Sequence, residues 1–156
     1  MTAAVLALRF DPAVVVLSYL TAAFASYVAL DLAQRVRTPD ELVARIWWIA
    51  GSLSMGTGIW AMHFVGMLAL KLPFLVGYDT AVTLLSWLAA VGVSAIALRV
   101  AALEKLTPAR LALGAVSMGA GICAMHYTGM AALVLAPGIQ WNWTLVAASA
   151  GVATGA

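Results

Sequence analysis

Charge is what this chain lacks most. Lysine, arginine, aspartate and glutamate together make up only 9% of its 156 residues, whereas hydrophobic residues make up 65%. The mean hydropathy of +1.04 is too high for a soluble domain of this length, which could not bury so much apolar surface. The net charge of +2 is small and scattered, which excludes a basic surface for nucleic acid. We therefore expect an integral membrane protein.

The groups that enzymes use are also scarce. The single cysteine, Cys123, excludes an internal disulfide bond, and the chain contains only two histidines. The apolar stretches hold no pair of carboxylates, and the two histidines repeat each other instead of completing a Ser-His-Asp set. No strand is predicted, so a phosphate-binding loop after a strand is not expected either. The sequence predicts a protein that is not an enzyme.

Long apolar runs dominate the chain. Four of them can each span a hydrocarbon core of ~30 Å at a rise of ~1.5 Å per residue. They cover residues 12–33, 44–70, 80–98 and 111–136, and a shorter fifth run covers 143–156. The predicted fold is an all-α integral membrane bundle of repeated transmembrane helix pairs, with four complete helices and a truncated fifth. Because the fifth run is short for a span, we expect the sequence to be a piece of a longer protein.

Basic residues are distributed unequally between the two ends of the predicted helices. One end carries six of them, within residues 34–45 and 99–110, and the other end carries two. The six are Arg35, Arg37, Arg45, Arg99, Lys105 and Arg110, and the two are Arg9 and Lys71. By the positive-inside rule, the end with six basic residues is cytoplasmic and the N-terminus lies outside.

One twenty-residue segment occurs twice. Residues 51–70 and 114–133 are identical at 13 of 20 positions, at a spacing of 63 residues. Both histidines, His63 and His126, occupy equivalent positions near the outer ends of their helices. The helices that precede the two copies also match, at a spacing of 68 residues. The duplicated unit is therefore a helix pair. The two repeat units cover about residues 12–70 and 80–136.

Methionines accompany each histidine at helical spacing. His63 and Met67 are four residues apart and share a helix face, as do His126 and Met130. Imidazole nitrogen with thioether sulfur is a ligand set that favours copper, especially Cu(I). Zinc would be expected to recruit thiolate or carboxylate as well, and only Cys123 offers a thiol. The repeated glycines would let two such helices approach closely in lipid and bring both motifs together.

The same residues also have a packing interpretation. Methionine fills gaps in apolar cores, and glycine serves close helix packing. An intramembrane histidine can be a hydrogen-bonded contact between helices. The matched positions of the two histidines favour chemistry over packing, whereas Met55 and Met118 are equally compatible with either role.

The segments MHFVGM at 62–67 and MHYTGM at 125–130 resemble the signature of the MHYT family of bacterial integral membrane sensor domains. The resemblance covers essentially the whole chain, 1–156, and implies a bundle of about seven helices with three such motifs. Tyr127 matches the signature tyrosine, whereas Phe64 departs from it, so the first copy offers no phenol. A third motif is absent from this sequence.

The resemblance also implies a metal site, with copper as the metal. The implied ligands are Met62, His63, Met67, Met125, His126 and Met130. Such a site would lie near the periplasmic side of the bacterial inner membrane and sense oxygen, carbon monoxide, nitric oxide or redox state. The implied partners are the lipid bilayer, a diatomic gas and a cytoplasmic output module, such as one that makes or breaks cyclic di-GMP, in the same protein or another. A homodimer is one open alternative for the assembly.

Three other functions stay open at this point. His63 and His126 could be the axial ligands of one haem b in an electron carrier, with methionine as an alternative ligand. Copper could be transported instead of sensed, although the apolar segments hold no proton-relay carboxylates and no prolines that break helices. The motifs could also serve helix association alone.

Overall fold

Five α-helices make up most of the described chain. The computed structural model describes residues 9–71, 76–103, 107–135, 139 and 141–155. The helices are α1 (Pro12–Arg35), α2 (Glu41–Leu68), α3 (Thr80–Ala101), α4 (Pro108–Ala131) and α5 (Trp143–Gly155). The predicted all-α membrane bundle is thereby confirmed. Lys105 and residues 136 and 156, which entered the sequence predictions, lie outside the described residues.

Three of the helices, α1, α3 and α4, are long and apolar enough to cross a membrane. The 28-residue α2 is the longest of the five helices, but it is less apolar than these three and is not among the helices that could cross a membrane by composition. Its serines, glycines and threonine, together with His63, lower its mean hydropathy. The helix that carries the first motif is therefore the more polar member of its pair.

Side-chain caps fix where the helices begin. Asp40 accepts hydrogen bonds from the first-turn amides of α2, at 2.9 and 3.1 Å. Because this cap satisfies amides that would otherwise lack partners, α2 begins at Glu41, three residues before the predicted start. Asp11, Asp79, Thr107 and Asn142 cap the other four helices in the same way.

Within the described residues, four two-residue strands join the helices at one end of the bundle, so the prediction of no strands was wrong. β1 (Arg9–Phe10) pairs antiparallel with β2 (Leu70–Lys71), and β3 (Gly77–Tyr78) pairs antiparallel with β4 (Leu133–Val134). The backbone groups at this end of the helices need partners, and strand pairing supplies them. For this reason α4 ends at Ala131, before the last residues of the apolar run that extends to 136.

The duplication is visible in the three-dimensional structure. Each unit runs strand, helix, helix, strand, and a backbone hydrogen bond closes it beside the paired strands. Asp11 N donates to Ala69 O at 2.7 Å, and Asp79 N donates to Ala132 O at 2.8 Å. Both alanines are fully buried. The two motifs are thus held at the same height in equivalent units.

The helices pack in chain order, each against the next. Two equivalent glycines mark the closest approaches. A Cβ on Gly56 of α2 would lie 2.5 Å from Val91 Cα of α3, and a Cβ on Gly119 of α4 would lie 2.5 Å from Ala153 O of α5. Any larger side chain would push these backbones apart, which confirms the packing role predicted for these glycines.

Candidate functional site

The two histidines meet. His63 lies on α2 and His126 on α4, and their Nδ1 atoms are 3.4 Å apart. The ring centroids are 4.8 Å apart and the ring planes are inclined by 67°. Although α2 and α4 are separated along the chain by α3, this contact brings the two motifs to one place, as the repeat predicted.

Gly129 holds the His63 ring in position. A Cβ at this glycine would lie 2.8 Å from Nε2 of His63 and 3.1 Å from its Cδ2, so the ring packs directly on the backbone of α4. The Nε2 atom is buried and has no hydrogen-bond partner among the described residues. A histidine that only links helices would have hydrogen-bond partners for its ring nitrogens. Among the described residues, Nδ1 of His63 meets only the other imidazole and Nε2 has no partner, so His63 does not fit that role.

Aromatic side chains lie beside each histidine ring. Phe64 meets His63 edge to face at 5.4 Å and also contacts Trp60 at 4.5 Å. In the second unit, Tyr127 meets His126 at 5.0 Å and contacts Trp141 at 5.5 Å. These rings give the histidine pair an apolar surrounding. Neither Trp60 nor Trp141 was identified from the sequence as part of the site.

A serine recurs seven residues after the capping residue of α1, α3 and α5. These are Ser18, Ser86 and Ser149. Ser18 Oγ donates to the carbonyl of Met62 at 2.8 Å, and Ser86 Oγ accepts from Trp60 Nε1 at 3.0 Å. Ser149 Oγ is hydrogen-bonded to the hydroxyl of Tyr127. Each serine therefore ties its helix to a residue within a motif or just before it. The constant spacing from the cap was the signal that could have identified all three.

The four motif methionines differ in position: two directly precede their histidines, and two lie one helical turn after them. Met62 lines, with Met55, a cavity of ≈ 130 Å³ between α1 and α2, so it lies on the α1 side of its helix. Met125 is only 3% exposed. Met67 and Met130 are half-buried and lie one turn beyond their histidines on the same helix face. The ligand roles of these methionines stay predictions.

The described residues offer few other metal ligands. They contain no group of three or more histidine, cysteine, aspartate or glutamate side chains that could hold a metal ion. Cys123, which lies one turn before His126, is half-buried. A site at this place would therefore have to draw on imidazole and thioether groups, the combination that suits copper better than zinc.

Comparisons with known proteins place the chain among bacterial signalling proteins. Over 133 residues it is 53% identical to the bifunctional diguanylate cyclase/cyclic di-GMP phosphodiesterase MucR of Pseudomonas aeruginosa, covering 85% of this chain and 19% of that protein. It is 39% identical over 147 residues to the cyclic di-GMP phosphodiesterase NbdA of the same organism, covering 94% and 19%. It is 40% identical over 124 residues to the signaling protein YkoW of Bacillus subtilis, covering 80% and 16%.

The chain thus spans less than a fifth of the length of these relatives. No solved structure matches it. The sequence model of the MHYT family, described as a bacterial signalling protein N-terminal repeat, matches residues 56–114 and 119–156, which together make up more than half of the chain. The chain belongs to the MHYT family of repeats from bacterial signalling proteins.

Proposed function

We propose that the chain is a membrane sensory input domain that binds one copper ion between His63 and His126. The observation that carries the proposal is the 3.4 Å separation of the two Nδ1 atoms. In a tetrahedral zinc site, for comparison, two nitrogen ligands at ~2.0–2.1 Å from the ion lie roughly 3.3–3.4 Å apart. The pair is therefore spaced as two ligands of one ion would be, and this spacing is long for a hydrogen bond between two imidazoles.

Met67 and Met130 are the thioether ligands that the geometry supports best, because each shares a helix face with its histidine. Met62 and Met125 precede their histidines by one residue and lie about 100° around the helix axis. The position of Met62 in the cavity against α1 supports a packing role for it. Bound copper would supply a redox-active centre that can take up a diatomic gas such as oxygen, carbon monoxide or nitric oxide.

The signal would leave the site through the helices that carry the ligands. His63 of α2 contacts both His126 and Gly129 of α4, so a change in the separation of the two imidazoles would act directly on the contact between these helices. Both helices run from this end to the basic end of the bundle, which the positive-inside rule places in the cytoplasm. A gas or redox change acts as a signal only if it favours one of two helix arrangements.

We propose that a cytoplasmic output module reads this shift. The support comes from the relatives, two of which are named as enzymes of cyclic di-GMP and are about five times as long as the matched region. The chain itself would then be the sensory part and perform no catalysis. The histidine site would face the periplasmic side of the bacterial inner membrane.

Metal analysis of the purified protein tests the proposal. The protein, solubilised in detergent from copper-supplemented cells, would be analysed for bound metals by mass spectrometry, beside a His63→Ala/His126→Ala variant. We expect near-stoichiometric copper in the parent protein and none in the variant. Copper that persists in the variant, or no copper in either protein, would refute the site.

The methionines offer a matched comparison within the same motifs. We expect Met67→Leu/Met130→Leu to lose copper and Met62→Leu/Met125→Leu to retain most of it. Leucine keeps the volume of methionine but removes the thioether, so the folds of both variants should survive. Equal copper loss in the two double variants would contradict the ligand assignment.

A haem b electron carrier is the alternative that the same sample distinguishes. Two axial histidines must lie on opposite faces of the macrocycle, whereas the rings of His63 and His126 touch each other directly, edge to face. The absorption spectrum of the purified protein would show a Soret band for haem. We expect no Soret band. A Soret band that disappears in the double histidine variant would show that the site binds haem and not copper.

A further inference from the structure

A second site is suggested at the opposite end of the bundle from the histidines. A cavity of ≈ 410 Å³ opens there between the end of α1, the start of α2 and the end of α3. It is lined by Val36, Glu41, Ala44, Arg45, Trp48, Ile49, Arg99 and Ala102. Arg45 precedes His63 by 18 residues of continuous helix, or about 27 Å at ~1.5 Å per residue, so the cavity does not belong to the metal site.

Two arginines line the cavity, and among the described residues neither has a carboxylate partner. Within the part of the chain that the structure describes, neither Arg45 nor Arg99 forms an ion pair. The neighbouring arginines are engaged: Arg35 pairs with Asp31 at 2.6 Å, and Arg37 donates to the carbonyl of Ala101 at 3.0 Å. Arg45 and Arg99 therefore remain available to bind an anion.

A fixed aromatic ring forms one wall. Trp48 Nε1 donates to the carbonyl of Ala95 at 2.9 Å, which ties the ring to α3. The guanidinium of Arg99 lies over this ring, 5.9 Å from its centroid, which restricts the orientation of the arginine. The remaining wall is largely apolar, with Val36, Ala44 and Ile49. The cavity thus combines two positive charges with apolar surface and an indole ring.

We propose that this cavity binds the headgroup of an anionic phospholipid from the bilayer that surrounds the helices. Arginine forks suit phosphate oxygens, which they bind in bidentate fashion. Basic pockets between transmembrane helices near the cytoplasmic surface are suited to such headgroups, and tryptophan is enriched at that depth. The apolar wall would contact the glycerol and the first acyl carbons, which a free phosphate ion lacks.

Glu41 sets the charge that the cavity accepts. Glu41 is one of the lining residues, so its negative charge opposes the binding of an anion. A phosphodiester carries one negative charge, whereas inorganic phosphate at neutral pH is partly dianionic. The single carboxylate therefore favours a lipid phosphodiester over free phosphate.

Lipid binding to the detergent-solubilised protein tests the proposal. Phosphatidylglycerol and zwitterionic phosphatidylcholine would be titrated separately, and binding would be measured by native mass spectrometry. We expect one saturable phosphatidylglycerol site and weaker, non-saturating binding of phosphatidylcholine. Inorganic phosphate, added as a competitor, should displace the lipid only weakly.

Three variants separate this site from general attraction to a basic surface. If each arginine contributes a factor of about 5, Arg45→Gln/Arg99→Gln should weaken phosphatidylglycerol binding about 25-fold. Glu41→Gln should tighten it by about 5-fold, because it removes the opposing charge. Arg9→Gln, at the other end of the bundle, is the matched control and should leave binding unchanged.

Several results would overturn the proposal. Equal binding of the two lipids, or an equal loss in Arg9→Gln, would show only general lipid or charge attraction. Displacement by inorganic phosphate at lipid-like concentrations would show a site for free anions. If the double arginine variant does not fold, the single variants Arg45→Gln and Glu41→Gln test the proposal, because both positions are exposed. If both variants weaken lipid binding, or both strengthen it, the proposal is contradicted.

Discussion

Replacing Gly129 with alanine tests whether close helix packing positions the histidine pair. The new Cβ would lie 2.8 Å from Nε2 of His63, whereas ordinary contact begins at 3.4 Å, so the ring would have to move by about 0.6 Å. A metal ligand must be held to within about 0.5 Å of its working position. We therefore expect the affinity for copper to fall by about 10- to 100-fold, as when the support of a ligand is lost.

The stability of the fold should change much less. The atom displaced is the far end of a side chain, so α2 and α4 can keep their backbone positions. Alanine also favours the helix by about 1 kcal/mol over glycine, which offsets part of the crowding. We expect the free energy of unfolding to change by about 1 kcal/mol or less.

Competition with a chromophoric Cu(I) chelator measures the affinity, and thermal unfolding of the metal-free protein measures the stability. Gly66→Ala is the matched control, because Gly66 is the equivalent residue of the first motif and its Cβ would lie 3.3 Å from Ser18 Oγ, far from either imidazole. The reasoning is refuted if Gly129→Ala binds copper as the parent protein does, or if Gly66→Ala loses as much affinity.

Three further predictions concern the framework around the site. Ser86→Ala leaves Trp60 Nε1 without its acceptor and should cost about 1–3 kcal/mol of unfolding free energy. Adding Trp60→Phe should recover part of the loss, and strictly additive losses in a double-mutant cycle would contradict the bond. Gly56→Val places a Cβ 2.5 Å from the backbone of α3 and should cost about 1–3 kcal/mol or more, so an unchanged melting temperature would contradict that contact. The hydrogen bond from Lys71 lowers the pKa of the Asp11 carboxyl below 3.8. The ion pair therefore stabilises the folded protein at pH values above 3.8, the usual pKa of the carboxyl. This stabilisation is lost as the pH falls through the lower pKa of Asp11 in the folded state. Lys71→Met should therefore reduce the loss of thermal stability on acidification, and an unchanged acid profile would count against the pair.

The helices were predictable because length and apolar composition specify them directly. α3 begins at Thr80 and α5 at Trp143, as the sequence predicted, and α1 differs only at its end. The errors occur where apolar composition continues but the backbone changes conformation. Leu133 and Val134 are as apolar as the helix before them, yet they form a strand because a partner strand lies beside them. Apolar composition indicates which residues lie within the membrane, but it does not indicate which partner their backbone groups hydrogen-bond with.

The histidine pair was predictable because duplication places equivalent residues at equivalent heights. The details around it were not, since they depend on how each helix is rotated and how closely it approaches its neighbours. That Gly129, among many glycines, carries the His63 ring follows from the α2–α4 approach and not from spacing. The bond between Tyr127 and Ser149 likewise depends on the position of α5.

The number of copper ions per chain tests the central claim most directly. If His63 and His126 share one ion, the parent protein binds one copper per chain, and His63→Ala and His126→Ala each abolish high-affinity binding on their own. If each motif binds its own ion, the parent protein binds two, and each single variant retains one. Metal analysis beside protein quantitation for the three proteins distinguishes these results, and the second would contradict the shared site.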